Sequence, residues 1–144
     1  MRIMGLLKAD SESEAGAPPS AELMQKMGTL MEDITKAGVM LATDGLKPSS
    51  EGKRVRLSNG KVTVLDGPFT ESKELIASYA VFQVNTWDEA IHWTRRFLEV
   101  LGEGECELRP IFEASDFPSD IFPPEEAARE EAVRAEMQKN AARQ

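Results

Sequence analysis

This chain of 144 residues has a single cysteine, Cys106, and a single histidine, His92. One cysteine excludes an internal disulfide, and the pair supplies too few ligands for a Cys/His zinc site. The sequence also lacks a P-loop, a dinucleotide-binding fingerprint and a nucleophile elbow. We therefore expect neither a metal nor a cofactor. If the protein is an enzyme, its chemistry must rest on carboxylates and a lysine.

Long apolar runs and a positive charge balance are missing as well. No run approaches the roughly 18 apolar residues of a membrane helix, and the formal net charge of −8 opposes binding to nucleic acid or anionic lipid. Residues 1–8 are interrupted too early by Lys8 and Asp10 for a signal peptide, and they predict a first strand. We expect a cytoplasmic protein without a nucleic-acid or membrane partner.

The apolar pattern predicts one α+β domain followed by an extension. Ser20 and Gly38 bound an amphipathic helix, and Thr86 with Glu89 forms a capping box that opens a second one. Asn59-Gly60 is a strong hairpin signal. The predicted order is strand 2–7, polar connector 10–20, helix 20–38, strand 39–46, hairpin 55–64, strand 75–84, helix 86–102, strand 105–113 and a partly helical extension over 116–144.

Two details of this prediction concern burial. The second helix is expected to bury a face that contains Trp87, Ile91, Thr94, Leu98 and Leu101, with Ala90 and Phe97 beside it. Cys106 lies in phase with apolar residues of the last strand, which favours a buried, inert thiol.

Residues 75–84 are apolar on both faces of the predicted strand. Helices on one side of a sheet leave the other face open, and an open face normally alternates to polar residues. The simplest cover for such a face is a second copy of the chain. We therefore expect a homodimer that packs sheet to sheet.

The stretch Asp66–Glu74, DGPFTESKE, connects the hairpin to this apolar strand. Gly67-Pro68 predicts a rigid turn, and Phe69 can cover it. The following charges, Glu71, Lys73 and Glu74, leave two interpretations open. The stretch is either a well-made turn or the edge of a polar binding site.

A candidate site follows from the second interpretation. Asp66 or Glu71 would act as the catalytic acid or base, and Arg54, Arg56, Phe69 and Lys73 would bind a small anionic ligand. The alternative is a solvated hairpin face whose arginines pair weakly with nearby glutamates.

The motif DGPFTESKE resembles the signature of the DGPF branch of the YCII-related family, with Thr70 and Ser72 in place of the usual Ala and Thr. The stretches 44–49, 54–56 and 107–111 are similar to that branch too, so the resemblance covers about residues 1–115. It implies a ferredoxin-like antiparallel sheet with two helices on one face, and a dimeric α/β barrel. The wider family's proposed His/Asp pair has no counterpart here, because no histidine lies near the second strand.

Two functions remain as hypotheses. A small-molecule site, with proton-transfer or lyase-type chemistry, predicts a cleft that contains Asp66, Phe69 and Lys73 and desolvates a carboxylate. A non-catalytic dimeric interaction module predicts that the charges of residues 66–74 pair with one another and are exposed. For the second, the resemblance suggests a regulatory partner, because genes of this branch lie near those of extracytoplasmic-function sigma factors.

Overall fold

A computed structural model describes residues 1–71 and 74–143. Its contacts divide the chain into two units, Met1–Ile111 and Phe112–Gln144. The first unit contains, in chain order, β1 (Arg2–Lys8), α1 (Ser11–Glu14), α2 (Ala21–Lys36), β2 (Met40–Gly45), β3 (Lys53–Ser58), β4 (Lys61–Asp66), β5 (Ile76–Gln83), α3 (Trp87–Leu101) and β6 (Cys106–Pro110). The second contains α4 (Pro124–Ala141).

Four strands form one sheet in the order β2-β5-β1-β6, and every neighbouring pair is antiparallel. Helix α2 lies between β1 and β2 in the chain, and α3 lies between β5 and β6. This is the ferredoxin-like α+β arrangement, so the expected fold class is confirmed. Strands β3 and β4 form a separate two-stranded ribbon inserted between β2 and β5.

The core lies between the sheet and the two helices. Ile3 and Phe82 face each other on β1 and β5, and they pack with Ile34 of α2 and Ala90 of α3. Arg96 of α3 donates a hydrogen bond of 2.7 Å to Asp33 of α2. Both helices therefore cover the same face of the sheet, and Met4, Leu6, Tyr79 and Val81 lie on the other face, half-buried in the single chain.

The predicted helix ends are confirmed. Ser20 Oγ accepts a hydrogen bond from Leu23 N at 3.0 Å, and Thr86 Oγ1 accepts one from Glu89 N at 3.2 Å. Gly38 and Gly102 follow the two helices with φ of 72° and 92°, a region that favours glycine.

The predicted buried face of α3 is partly wrong. Trp87 and Ile91 are 43% and 51% exposed, whereas Ala90 and Thr94 are buried. Apolar residues occur around most of this helix, so its sequence offers two overlapping stripes. The small side chains at 90 and 94 let the helix approach the sheet closely, and close packing selects that stripe.

The connector over residues 10–20 contains a helical turn, α1, that the apolar pattern did not predict. Asp10 accepts a hydrogen bond from Ser13 N at 2.8 Å, and Ser13 Oγ accepts one from Asp10 N at 2.9 Å. The bond from Ser13 N lowers the pKa of Asp10. A four-residue helix buries nothing, so it gives no periodic apolar signal.

The second unit has its own aromatic cluster. The rings of Phe112 and Phe117 lie 5.0 Å apart, and those of Phe117 and Phe122 lie 5.9 Å apart. Pro124 occupies the first turn of α4, as predicted, and this helix has no buried residue. Among the described residues, no helix is both long and apolar enough to span a bilayer.

Candidate functional site

The ribbon of β3 and β4 has the predicted register. Ser58 pairs with Lys61, Leu57 with Val62 and Val55 with Val64. Asn59 and Gly60 have positive φ, at 52° and 76°, as a tight hairpin turn requires. Because side chains alternate along a strand, Arg54 and Arg56 project from one face of the ribbon. The opposite face carries Val55, Leu57, Val62 and Val64, which are 56% to 71% exposed.

The turn that follows β4 is anchored by backbone contacts. Gly67 N donates a hydrogen bond of 3.0 Å to the carbonyl oxygen of Gly52, and the Gly67–Pro68 peptide bond is cis. A Cβ atom on Gly67 would overlap the Ser49 carbonyl oxygen. The residue at 67 is therefore glycine because another segment of backbone occupies the space of a side chain.

Ser49 connects this turn to α1. Its Oγ accepts a hydrogen bond of 3.1 Å from Phe69 N and donates one to Glu14 Oε2, while Ser49 N donates to Glu14 Oε1 at 3.1 Å. One serine thus bonds segments that are 35 and 20 residues away in sequence. The position of Phe69 therefore depends on its bond to Ser49 and on the bonds between Ser49 and Glu14.

Phe69 supports Arg54. The guanidinium carbon of Arg54 lies 4.0 Å from the centroid of the half-buried Phe69 ring, within cation–π range. Arg54 also approaches Glu71, with Nη1 and Oε2 3.6 Å apart. Arg54 therefore contacts two other predicted site residues, Phe69 and Glu71.

The other predicted residues are placed differently. Asp66 pairs with Lys53, and its side chain is 75% exposed. Arg56 makes no ion pair with any residue that the structure describes. Lys73 lies outside the described residues.

The exposed carboxylates bear on both functional hypotheses. The side chain of Glu71 is 54% exposed, so neither Asp66 nor Glu71 is desolvated in the single chain. The interaction-module hypothesis predicted exposed charges that pair with one another. The two carboxylates are exposed, but they pair with Lys53 and Arg54 of β3 and not with other described charges of the stretch. The ligand-site hypothesis predicted a desolvated carboxylate, and neither of these two is one. A ligand-site hypothesis therefore requires that the ligand, or a second chain, complete the site.

Sequence reasoning missed the support of the site. Glu14, Ser49 and Gly52 hold the turn, although none was a candidate. Asp10 and Ser13, spaced as an N-cap pair, could have indicated the helical turn that carries Glu14. No local pattern shows that Glu14 bonds to Ser49.

The protein therefore has a ferredoxin-like α+β fold. Its candidate site places Arg54 of the β3–β4 ribbon against Phe69 and Glu71 of the loop that follows β4. The chain belongs to the YCII-related domain family, whose sequence model matches residues 1–115. It is 26% identical over 100 residues to the uncharacterized protein R00369 of Rhizobium meliloti (strain 1021), covering 67% of this chain and 81% of the relative.

Among solved structures, the chain is similar to 5-chloro-2-hydroxyhydroquinone dehydrochlorinase (TftG) from Burkholderia phenoliruptrix AC1100, in complex with 2,5-dihydroxybenzoquinone. The TM-score is 0.44 and the sequence identity 11%, with 82% of this chain and all of that chain covered. At this level of similarity, nothing about that reaction transfers to the present protein.

Proposed function

We propose that this YCII-related protein is of the DGPF type and binds a small anionic metabolite beside the loop of residues 66–74. The observation that supports it is the Arg54 guanidinium held 4.0 Å above the Phe69 ring. The ring is itself fixed through Ser49 and Glu14. An arginine that is oriented before binding loses less side-chain freedom when a ligand arrives.

The binding capacity of Arg54 is not used up. A guanidinium has five N–H donors in a planar fork, and charge-assisted bonds to carboxylates are about 2.7 to 2.9 Å long. The contact to Glu71, at 3.6 Å, is longer than such a bond. A ligand carboxylate or phosphate can take the place of Glu71, with Arg56 on the same ribbon face and Lys73 in the loop as further cationic groups.

Displacement of Glu71 would also give the site a base. A carboxylate that loses its cationic partner and is covered by a ligand has a higher proton affinity. Glu71, or Asp66 after release from Lys53, would then exchange a proton with the ligand. Proton-transfer or lyase-type chemistry on a small polar metabolite is the reaction class that such groups suit.

The ligand site is tested by thermal shift with inorganic phosphate, citrate, malate and benzoate as probes. We expect at least one probe to raise the unfolding midpoint of the wild type through binding to the native state. Arg54→Gln should lower the affinity for that probe by at least about tenfold, which is the effect expected from the loss of one charged hydrogen bond. Arg95→Gln is the matched control, since Arg95 pairs with Glu99 on the exposed side of α3. Equal binding by wild type and Arg54→Gln would contradict the proposal.

We also propose that two copies of the chain pack through the open sheet face. Met4, Leu6, Tyr79 and Val81 form a continuous half-buried strip there, because their strands pair directly. Tyr79 donates a hydrogen bond of 2.7 Å to Asp44 at its edge, and this bond raises the pKa of the tyrosine. A largely apolar strip with a polar margin is typical of a homodimer interface.

The dimer is tested by light scattering after size exclusion. We expect a mass twice the 15.9 kDa of one chain. Val81→Glu, in the middle of the sheet, should shift the protein to monomer because it would bury an unpaired charge. Val62→Glu makes the same change on the ribbon and should leave the dimer intact. A monomeric wild type, or a dimer disrupted by Val62→Glu alone, would contradict this interface.

The second candidate function is a non-catalytic interaction module with a regulatory protein partner. Two observations favour it: the charges of Asp66 and Glu71 are paired and exposed, and the apolar face of the ribbon is uncovered. Absence of any thermal shift with the anionic probes, together with an intact dimer, would favour this function over ligand binding.

A further inference from the structure

A cavity of about 610 Å³ lies in the first unit between the two helices and the sheet. Gly5 and Ala80 belong to its sheet side, and Leu30 and Thr94 to its helix side. It is therefore on the sheet face opposite to the proposed dimer surface. None of the described residues of the loop 66–74 contributes to its lining.

This cavity is partly open to solvent, and it is much larger than the gaps inside a packed core. Native cores contain few voids larger than a water molecule, because unfilled space forfeits packing contacts. Small-molecule sites, in contrast, have volumes of about 300 to 1,000 Å³. The space between sheet and helices is in the range of a ligand site.

Its walls suit an apolar ligand. Aromatic and thioether side chains come from both helices and from β2: Met27, Met31, Met40, Trp93 and Phe97. Methionines adapt their shape to irregular ligands, and aromatic rings supply large rigid contact areas. The ligand's main contacts would be with these side chains.

Polar groups in the lining are few and mostly engaged. Thr43 Oγ1 donates to the Tyr79 carbonyl oxygen at 2.9 Å, and Thr94 Oγ1 donates to the Ala90 carbonyl oxygen at 2.8 Å. Asp44 already accepts the bond from Tyr79. The Ser78 hydroxyl makes no hydrogen bond with any described residue, so it remains available to one polar group of a ligand.

The lining offers no positive charge to an anionic ligand among its described residues. No lysine or arginine is among the described residues that line the cavity. Burial raises the pKa of Cys106, also in the lining, to about 11, so its thiol is neutral at physiological pH. An anion would enter this space without a counterion, at a large desolvation cost.

We propose that the cavity between the sheet and helices α2 and α3 binds an uncharged, largely apolar small molecule, with its one polar group at Ser78. This site is separate from the anionic site beside the loop 66–74, and it does not depend on it. Ser78 belongs to the part of the lining near the end of β2 and the start of β5, together with Gly45 and Ala77.

The test uses the neutral fluorescent probe N-phenyl-1-naphthylamine with the full chain. We expect saturable binding of one probe per chain, with increased emission on transfer to an apolar environment. Ala80→Leu, which fills the cavity from the sheet, should weaken binding at least tenfold. Ala128→Leu is the control, because Ala128 is exposed on α4 and does not line the cavity. Ser78→Leu is a second filling variant if Ala80→Leu does not fold.

Further variants separate this site from the other surfaces. Arg54→Gln should bind the fluorescent probe with the affinity of the wild type. Binding in the cavity can then be shown even if the proposed anionic site beside the loop 66–74 is wrong. Val62→Glu should also retain binding, since the exposed ribbon is not the site. The proposal is overturned by absence of saturable binding to the wild type, by full binding to a folded filling variant, or by loss of binding in Val62→Glu.

Discussion

Replacement of Gly67 by alanine is expected to destabilise the protein by about 3 kcal/mol or more, the range of severe steric conflicts. The added methyl group would overlap the carbonyl oxygen of Ser49. That oxygen belongs to the backbone, so it cannot rotate away as a flexible side chain can. Ser49 is also bonded to Glu14 and Phe69, and relief of the overlap would break those bonds.

Gly45→Ala is the matched control for this prediction. A Cβ atom at Gly45 would meet nothing within 4 Å, and the residue does not require positive φ. Its substitution should change the free energy of unfolding by no more than about 0.5 kcal/mol, as for ordinary surface changes. Urea denaturation of the two variants and the wild type measures both values. Similar midpoints for Gly67→Ala and Gly45→Ala would show that the segments around Ser49 and Gly67 are not packed as described.

Cys106 in the native protein is expected to react with Ellman's reagent roughly 100-fold more slowly at pH 8 than an unhindered thiol. Burial, assisted by the negative charge of Glu105, raises its pKa from 9.0 to about 11. Only the thiolate attacks the reagent, so the rate falls with the thiolate fraction. Since the pKa is raised, the rate should increase as the pH rises toward 11.

The matched measurement for Cys106 uses the same chain in 6 M guanidinium chloride, where the thiol is exposed. With one cysteine in the sequence, the reaction reports on one site without mutagenesis. Native and unfolded rates within a few-fold of each other at pH 8 would contradict the packing of β6 against the helices. Bound N-phenyl-1-naphthylamine should slow the native reaction further, because Cys106 lines the cavity.

Features set by neighbouring residues were predictable from the sequence. Ser20 and Thr86 cap the two helices through bonds that span three residues. Asn59-Gly60 fixes the register of the ribbon, because a two-residue turn determines which residues face each other. The arrangement of strands and helices follows from such signals together with the family resemblance, and the ferredoxin-like fold was predictable for that reason.

The candidate site was predictable only in part. The resemblance pointed to residues 66–74, and Arg54 does contact both Phe69 and Glu71. The exposure of Asp66 and Glu71 was not evident, because it depends on how far the ribbon stands away from the four-stranded sheet. A charged cluster beside an apolar strand has the same sequence whether it is buried or in water.

By itself, the sequence determined the helix caps, the hairpin register and the strands that form the sheet, since these depend on contacts within a few residues or on period-two patterns. The tertiary structure alone decided which stripe of α3 is buried, where the cavity lies and which segments hold Gly67 and Phe69. The bonds from Glu14 to Ser49 and from Ser49 to Phe69 join parts of the chain 35 and 20 residues apart. Such contacts exist only after the intervening chain has folded, so no local pattern encodes them.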